Sequence, residues 1–447
     1  MKFRFLYVFT LIMMVGCMQK FTDSNITKLI VIDPQHFHAA LVQKYTHPTI
    51  DSTVQLFAQR EEDVVGYNTL ISQFKTRDNQ PTNWETKFYY DSDFVSKAFT
   101  NTDGNLIILA GDNKKKISYI ESANAQGLDV FADKPLVIDK DGYANLETLL
   151  HQRKGLIYDI MTERYDVKNE LIKALILDES FSGGFENNAT VPLISFSSTH
   201  HIIKNVSGKP LIRPILFFNT NQQGEGLVDV TTHYIDLVQW MLSSEKVIEI
   251  KRDVKFKNSK RWKTSVSKDQ FSKATNLTEF PNELLPFVKD DNLELFCNGK
   301  IDYLFKDVPV SINVQWNVES LDGKGDQFYA KFQTRNLNIE VKPNDMGKST
   351  IYVSPIHADK SFGKKMKEAL SRSHRFAAVD FIENANSFQL IIPSELYLSH
   401  EDHFAKVLKQ FLNYRKNRKI PDWETSFLLA KYYLTTEALA NAETYSF

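Results

Sequence analysis

Five short apolar runs constrain the first third of this chain more than anything else in it. They are Lys28-Leu-Ile-Val-Ile-Asp33, Val54-Gln-Leu-Phe-Ala58, Asn105-Leu-Ile-Ile-Leu-Ala110, Leu128-Asp-Val-Phe-Ala132 and Gly155-Leu-Ile-Tyr-Asp-Ile160. Runs of this length without regular alternation suit strands covered on both faces. The stretches 38–45, 117–125 and 142–153 read as helices, the second stopped by Gly127. Strands alternating with helices predict a parallel α/β sheet, a Rossmann-like domain over 28–165. Beyond residue 165 the pattern changes. Val308, Val310, Ile312, Val314, Trp316 and Val318 alternate strictly, as do Phe328, Ala330 and Phe332, then Leu337, Ile339 and Val341. Alternation buries one face and wets the other, so 166–447 reads as an α+β domain with a large, mostly antiparallel open sheet. The wet face of that sheet is a candidate surface for a homo-oligomer. Asn298-Gly299 carries a hairpin signal, and 167–177, 403–415 and 424–443 read as helices.

The N-terminus looks like an address rather than structure. Lys2 and Arg4 precede an apolar run from Phe5 to Gly16, too short to span a bilayer, and Met14-Val-Gly-Cys17 closes it. This order resembles a bacterial lipoprotein signal over 1–17, with Cys17 lipidated, a polar tether over 18–27, and a periplasm-facing place in the cell envelope. Lys2-Phe3-Arg4 is not a twin-arginine signal, so export is expected to be unfolded and without cofactor. The net charge of -1 gives no electrostatic case for nucleic acid. With Cys17 lipidated, Cys297 is left alone, which excludes an internal disulfide and a Cys-rich metal site. Cys297 reads as a small hydrophobe in a strand.

Two motifs bring chemistry. Lys134-Pro135 follows the fourth run, and Gln223-Gly-Glu-Gly-Leu-Val-Asp229-Val-Thr-Thr-His233-Tyr-Ile-Asp236 lies in the second half. If a helix has begun by Asp229, Asp229 and His233 share a face at i, i+4. Gly224 and Gly226 allow a tight loop and the close approach of a ligand. A neutral imidazole can take a hydroxyl proton and return it. The bland alternative is a capping Asp and a satisfied His. Spacing indicates no third ligand, so no metal site is expected. His200 and His201 are adjacent on a probable strand and face opposite ways.

The segment Gly127-Leu-Asp-Val-Phe-Ala-Asp-Lys-Pro-Leu-Val137, together with 223–240, resembles the glucose-fructose oxidoreductase / inositol dehydrogenase / MocA family. The resemblance implies a nicotinamide dinucleotide, NAD or NADP, and a carbohydrate substrate held between the two domains. It implies His233 as base, Lys134 against both cofactor and substrate, and Asp229 orienting the ring or binding a sugar hydroxyl. Weaker matches imply cofactor contacts at Asn113, within Ala110-Gly-Asp-Asn113, and at Arg164, within Thr162-Glu-Arg164-Tyr165, where a structural salt bridge is equally in keeping. Lys116 stands where the family has His. The departure is at the first turn, Asp33-Pro34-Gln35-His36-Phe37-His38-Ala39, which has none of the glycines that let a pyrophosphate approach the backbone. Two further readings stay open beside the oxidoreductase. One is a non-redox periplasmic carbohydrate-binding lipoprotein; the other is a redox-neutral glycosidase with a tightly held cofactor. His36 and His38 read as phosphate or substrate contacts, or as loop residues without a chemical role.

Overall fold

The computed structural model describes residues 26–445 apart from 101–102, 187, 207–208, 321–324 and 345. Cys17 and most of the tether lie outside the described residues. The first sheet is built from β1 (Leu29–Ile32), β2 (Thr53–Ala58), β3 (Glu85–Tyr90), β4 (Leu106–Leu109), β5 (Asp129–Asp133) and β6 (Ile157–Ile160). All pairings are parallel in the order β3-β2-β1-β4-β5-β6, the doubly wound order of dinucleotide-binding folds. Every residue of β1, β4, β5 and β6 is buried, as non-alternating apolar runs require. The edge strand β3, Glu-Thr-Lys-Phe-Tyr-Tyr, is almost wholly exposed. Its charges suit an edge and hide it from a search for apolar runs.

The helix after β1 is a single turn, His38–Leu41, shorter than the 38–45 expected. The helix His400–Asn417 covers the sheet there instead. Its Phe404, Val407, Leu408 and Phe411 join one core with Leu29, Val31, Leu56, Ile108 and Phe131, and the Phe411 ring stacks on Phe131 at 5.1 Å and on Tyr158 at 5.5 Å. The end of the chain thus returns to the first sheet, although its sequence position assigns it to the second half.

The second sheet has 11 strands around β7 (Ile194–Ile203). β7 runs parallel to Val308–Glu319 and antiparallel to Gln327–Gln333; outside this, only the short Glu443–Thr444 pairs in parallel. One face packs on the helices Val167–Leu177 and Thr231–Ser243 through Ile194, Phe196, Ile301, Tyr303, Val310, Ile312, Phe332 and Ile339. Asn298-Gly299 is not a turn; both residues lie inside the strand Asn292–Phe305. Asn298 is buried at a bulge of the neighbouring strand, where its amide donates to Trp262 O at 3.0 Å and Thr264 Oγ1 at 2.9 Å. Its carbonyl accepts from Trp316 N at 2.6 Å. The hairpin turns are Asp290-Asp291 and Lys306-Asp307, with both residues of each at positive φ, as two-residue turns between twisted strands demand.

The two sheets are joined by a buried ion network. Arg164, beside the end of β6, donates from Nε to Asp236 Oδ2 and from Nη2 to Oδ1, each at 2.6 Å. Its Nη1 donates to Glu424 at 2.8 Å. Lys431, fully buried, lies 3.0 Å from Asp236 and 2.7 Å from Asp159. Burial alone raises the Asp236 carboxyl, but Arg164 and Lys431 outweigh it and hold it at about 2. Stability from this group is present above the ordinary value of 3.8 and is lost as pH falls toward about 2. Asp236→Ala takes from Arg164 its bidentate partner and from Lys431 one of its two carboxylates, leaving two buried cations sharing Glu424 and Asp159, and is expected to destabilise by about 3–5 kcal/mol. Urea unfolding at pH 7 measures it; a loss under 1 kcal/mol would make the network a bystander.

Candidate functional site

Lys134 follows the last residue of β5 and is joined to Pro135 by a cis peptide. Its Nζ donates to Asp229 Oδ1 at 2.7 Å, with the Asp229 carbonyl at 3.4 Å. Both side chains are mostly buried, 11% and 18% exposed, so the pair brings one residue from each half of the chain into one cleft. Asp229 stands in the turn ahead of the helix Thr231–Ser243 rather than within it, so the shared helical face expected of Asp229 and His233 does not form. Asp229 N bonds back to Glu225 O at 3.1 Å and His233 N to Val230 O at 3.1 Å. The loop can lie here because Gly226 packs flat on the strand Asn292–Phe305. A Cβ on Gly226 would sit 2.1 Å from Cys297 O. The close approach that this glycine permits is to the sheet, not to a ligand. Cys297 is partly buried beneath it, and burial pushes its thiol up to about 11, an unreactive thiol.

His233 keeps partial exposure, yet its Nδ1 is enclosed without a hydrogen-bond partner among the described residues. Burial first, and then the Lys134 charge, push the imidazole well below its ordinary value, so it is neutral throughout the physiological range. Glu163 is a residue that motif reading passed over, although it sits inside Thr162-Glu-Arg164-Tyr165. Burial first, then Asp166, raise its carboxyl to about 7, with Lys134 near enough to pull the other way. Arg164 and Asn113, expected at the cofactor, are engaged elsewhere. Arg164 is committed to Asp236 and Glu424. Asn113 is buried and donates to Gln223 O at 2.7 Å while accepting from Lys116 at 2.7 Å. Lys116 is fully buried, and its ammonium has three acceptors: Asn113 Oδ1 at 2.7 Å, Asp133 O at 2.7 Å and Pro135 O at 2.8 Å. It braces the Lys134 turn from behind, and burial lowers it to about 8.

The turn after β1 is shaped by its own backbone. Gln35 N bonds to Asp33 O at 2.8 Å, His36 N to Ala110 O at 3.1 Å, and Ala39 N to His36 O at 3.2 Å. Gly111 makes this possible, since a Cβ there would lie 2.2 Å from Asp33 O. The amides that normally cradle a pyrophosphate are therefore largely spent, and Pro34 has none. In their place stand His36 and His38. Both rings approach Asp133 Oδ2 through Nδ1, at 3.0 and 2.9 Å. Burial lowers His38 to about 4. Asp133 stays ionised, since the two imidazoles outweigh the upward pull of burial.

A cavity with room for about one water, 20 Å³, is lined by Asp229, Gly224, Gln223, Cys297 and Trp316. Trp316 also borders a cleft of 820 Å³ lined by Thr199, His201, Trp262, Gln315, Asn317 and Gln327. His200 and His201 both approach Asp326, at 3.6 and 3.2 Å, and the His200 ring stacks on Trp316. Among the described residues no helix is long and apolar enough to cross a membrane.

Residues 171–443 match the family model described as "Putative oxidoreductase C terminal domain". A crystal structure of a "putative oxidoreductase" from Parabacteroides merdae is 34% identical, with a TM-score of 0.90, over 94% of this chain and 98% of that one. The fold alone is shared with two more distant structures. One is an oxidoreductase structure from Erwinia carotovora atroseptica, 12% identical with a TM-score of 0.60, over 94% of this chain and all of that one. The other is a 3-ketoreductase from Actinomadura kijaniata in complex with TDP-benzene and NADP, 13% identical with a TM-score of 0.57, over 95% of this chain and all of that one. Curated proteins give no match. With its 3-2-1-4-5-6 parallel sheet, its open mixed sheet and these matches, the chain belongs to the glucose-fructose oxidoreductase / inositol dehydrogenase / MocA family of oxidoreductases.

Proposed function

We propose that the chain is an NAD(P)-linked oxidoreductase acting on a secondary hydroxyl of a sugar, polyol or glycoside. The observation that carries this is the Lys134–Asp229 pair at 2.7 Å, standing beside a neutral His233 whose Nδ1 has no hydrogen-bond partner among the described residues. The dinucleotide, when bound, supplies the hydride acceptor. The residues present suit it at that reacting end; at the phosphate end the spent amides after β1 offer no backbone cradle. Lys134 lowers the energy of an alkoxide as the hydroxyl loses its proton, and Asp229 fixes where the ammonium stands. His233, with Nδ1 enclosed, meets the hydroxyl through Nε2 and takes its proton. Its weak basicity is offset by the Lys134 charge on the developing oxyanion. Trp262 and Trp316 beside Gln315, Asn317 and Gln327 supply an aromatic face with amide donors and acceptors, a lining suited to carbohydrate. The proposal includes lipid anchoring of the chain to the bacterial cell envelope through Cys17.

A second reading, a non-redox carbohydrate-binding protein on the same fold, is favoured by the glycine-free turn. Mass spectrometry of the denatured protein for released NAD or NADP, followed by titration with both, separates the two. Micromolar binding of either supports the first reading, and its absence supports the second. In the enzyme, His233→Ala is expected to lower kcat by about 100-fold or more with little change in substrate affinity; unchanged turnover would remove His233 from the proton path. Glu163 carries a stability signature. Its folded value, about 7, lies above the ordinary 4.5, so the folded state is fully favoured below 4.5 and progressively penalised as pH rises toward 7. Glu163→Gln should therefore raise the thermal midpoint at pH 8 and leave it unchanged at pH 4. Equal effects at both pH values would show that the carboxyl is not held protonated.

A further inference from the structure

We infer that His36, His38 and Asp133 form a binding site for a divalent first-row transition metal of the zinc class, at the mouth of the parallel sheet. The two Nδ1 atoms and Oδ2 lie within 4.8 Å of one another, with the Nδ1–Oδ2 separations at 3.0 and 2.9 Å. Ligand atoms around a tetrahedral ion at 2.0–2.1 Å stand about 3.3–3.4 Å apart. Widening the two Nδ1–Oδ2 separations by a few tenths of an ångström brings each to that spacing.

The donor set narrows the ion. Two imidazoles and one carboxylate suit zinc, cobalt, nickel or ferrous iron; magnesium and calcium prefer all-oxygen shells. Two of the ligands come from a turn pinned to Ala110 and Asp33 by backbone bonds. The third is the last residue of a fully buried strand, backed by Lys116 on its carbonyl. Such a site is preorganised rather than assembled by the ion. Without a metal, both rings compete for a single carboxylate oxygen.

Three protein ligands leave a coordination position open, as in catalytic rather than structural sites. The charge nearest the ion in sequence is that of Lys134, and Asp229 neutralises it at 2.7 Å. His400, the first residue of the helix His400–Asn417, brings its ring within 5.7 Å of the His38 ring and is a further donor close to the cluster. An ion here restores, beside the turn, the positive potential that a glycine-rich loop would have supplied with amides.

The test is metal binding by the purified full-length protein, without a histidine tag and stripped with EDTA. It is titrated with zinc chloride by calorimetry and with cobalt chloride by visible absorption. The expected result is one equivalent bound at micromolar or tighter affinity, with the intense cobalt bands of a four-coordinate site. His36→Gln, His38→Ala and Asp133→Asn should each weaken binding about 100-fold, at least as much as loss of a supporting outer-sphere residue, with circular dichroism and the thermal midpoint read alongside. His36 is the most exposed of the three, so His36→Gln tests the site even where Asp133→Asn fails to fold. No saturable binding up to about 1 mM, the weak limit of specific association, would overturn the inference, as would binding that survives His36→Gln and His38→Ala unchanged.

Discussion

The buried contact of Arg164 with Asp236 is the interaction that ties the candidate site's two halves together. Arg164 belongs to the end of the first sheet, and Asp236 lies one helical turn beyond His233. The bidentate bond sets the rotation and height of that helix against the parallel sheet. Asp229, in the turn that leads into the same helix, meets Lys134 at 2.7 Å. A buried ion pair adds little net stability over a well-packed apolar equivalent, so its value here is positional. Guanidinium and carboxylate meet in one planar geometry, whereas leucines in the same place would tolerate sliding. The C-terminal helix Asp422–Ala440 closes the arrangement by supplying both Glu424 and Lys431.

Much of the fold was legible because burial writes itself into apolar pattern. β1, β4, β5 and β6 are buried end to end and stand out as uninterrupted runs. β3 is an exposed edge, and its Glu85, Lys87 and three aromatic residues carry no such pattern. Asn298-Gly299 has the composition of a tight turn, but what selects it is different. Gly299 makes room for Leu227, which a Cβ would approach within 2.4 Å, and Asn298 satisfies a bulge on the adjacent strand. Both causes are long-range, and local sequence cannot report them.

The site divides along the same line. Lys134, Asp229 and His233 were visible as motifs, and the structure brings Lys134 and Asp229 into contact. Arg164 and Asn113 were also visible, but side-chain chemistry alone does not distinguish a guanidinium facing a phosphate from one facing Asp236. Glu163 was hidden in the middle of a recognised segment, since its raised carboxyl comes from enclosure by the folded chain. A signal was available for His36 and His38 in their spacing, but their partner Asp133 lies 95 to 97 residues away. Asp133 lies inside the recognised segment 127–137, where nothing in its local sequence points to the turn of the two histidines.

Asp133 and the glycine-free turn belong together. At the end of β5 the Asp133 carboxylate faces the turn after β1, where both imidazoles approach one of its oxygens. The same turn has lost the glycines that open the backbone to a pyrophosphate, and its amides have turned inward to Asp33 and Ala110. Asp33 itself adopts positive φ, 48°, a conformation that costs a non-glycine residue about 1 kcal/mol or more. A loop that had merely decayed would have no reason to hold such a conformation or to place two histidines on one buried oxygen. At the mouth of the sheet, imidazole and carboxylate side chains stand where the backbone amides are already bonded within the protein.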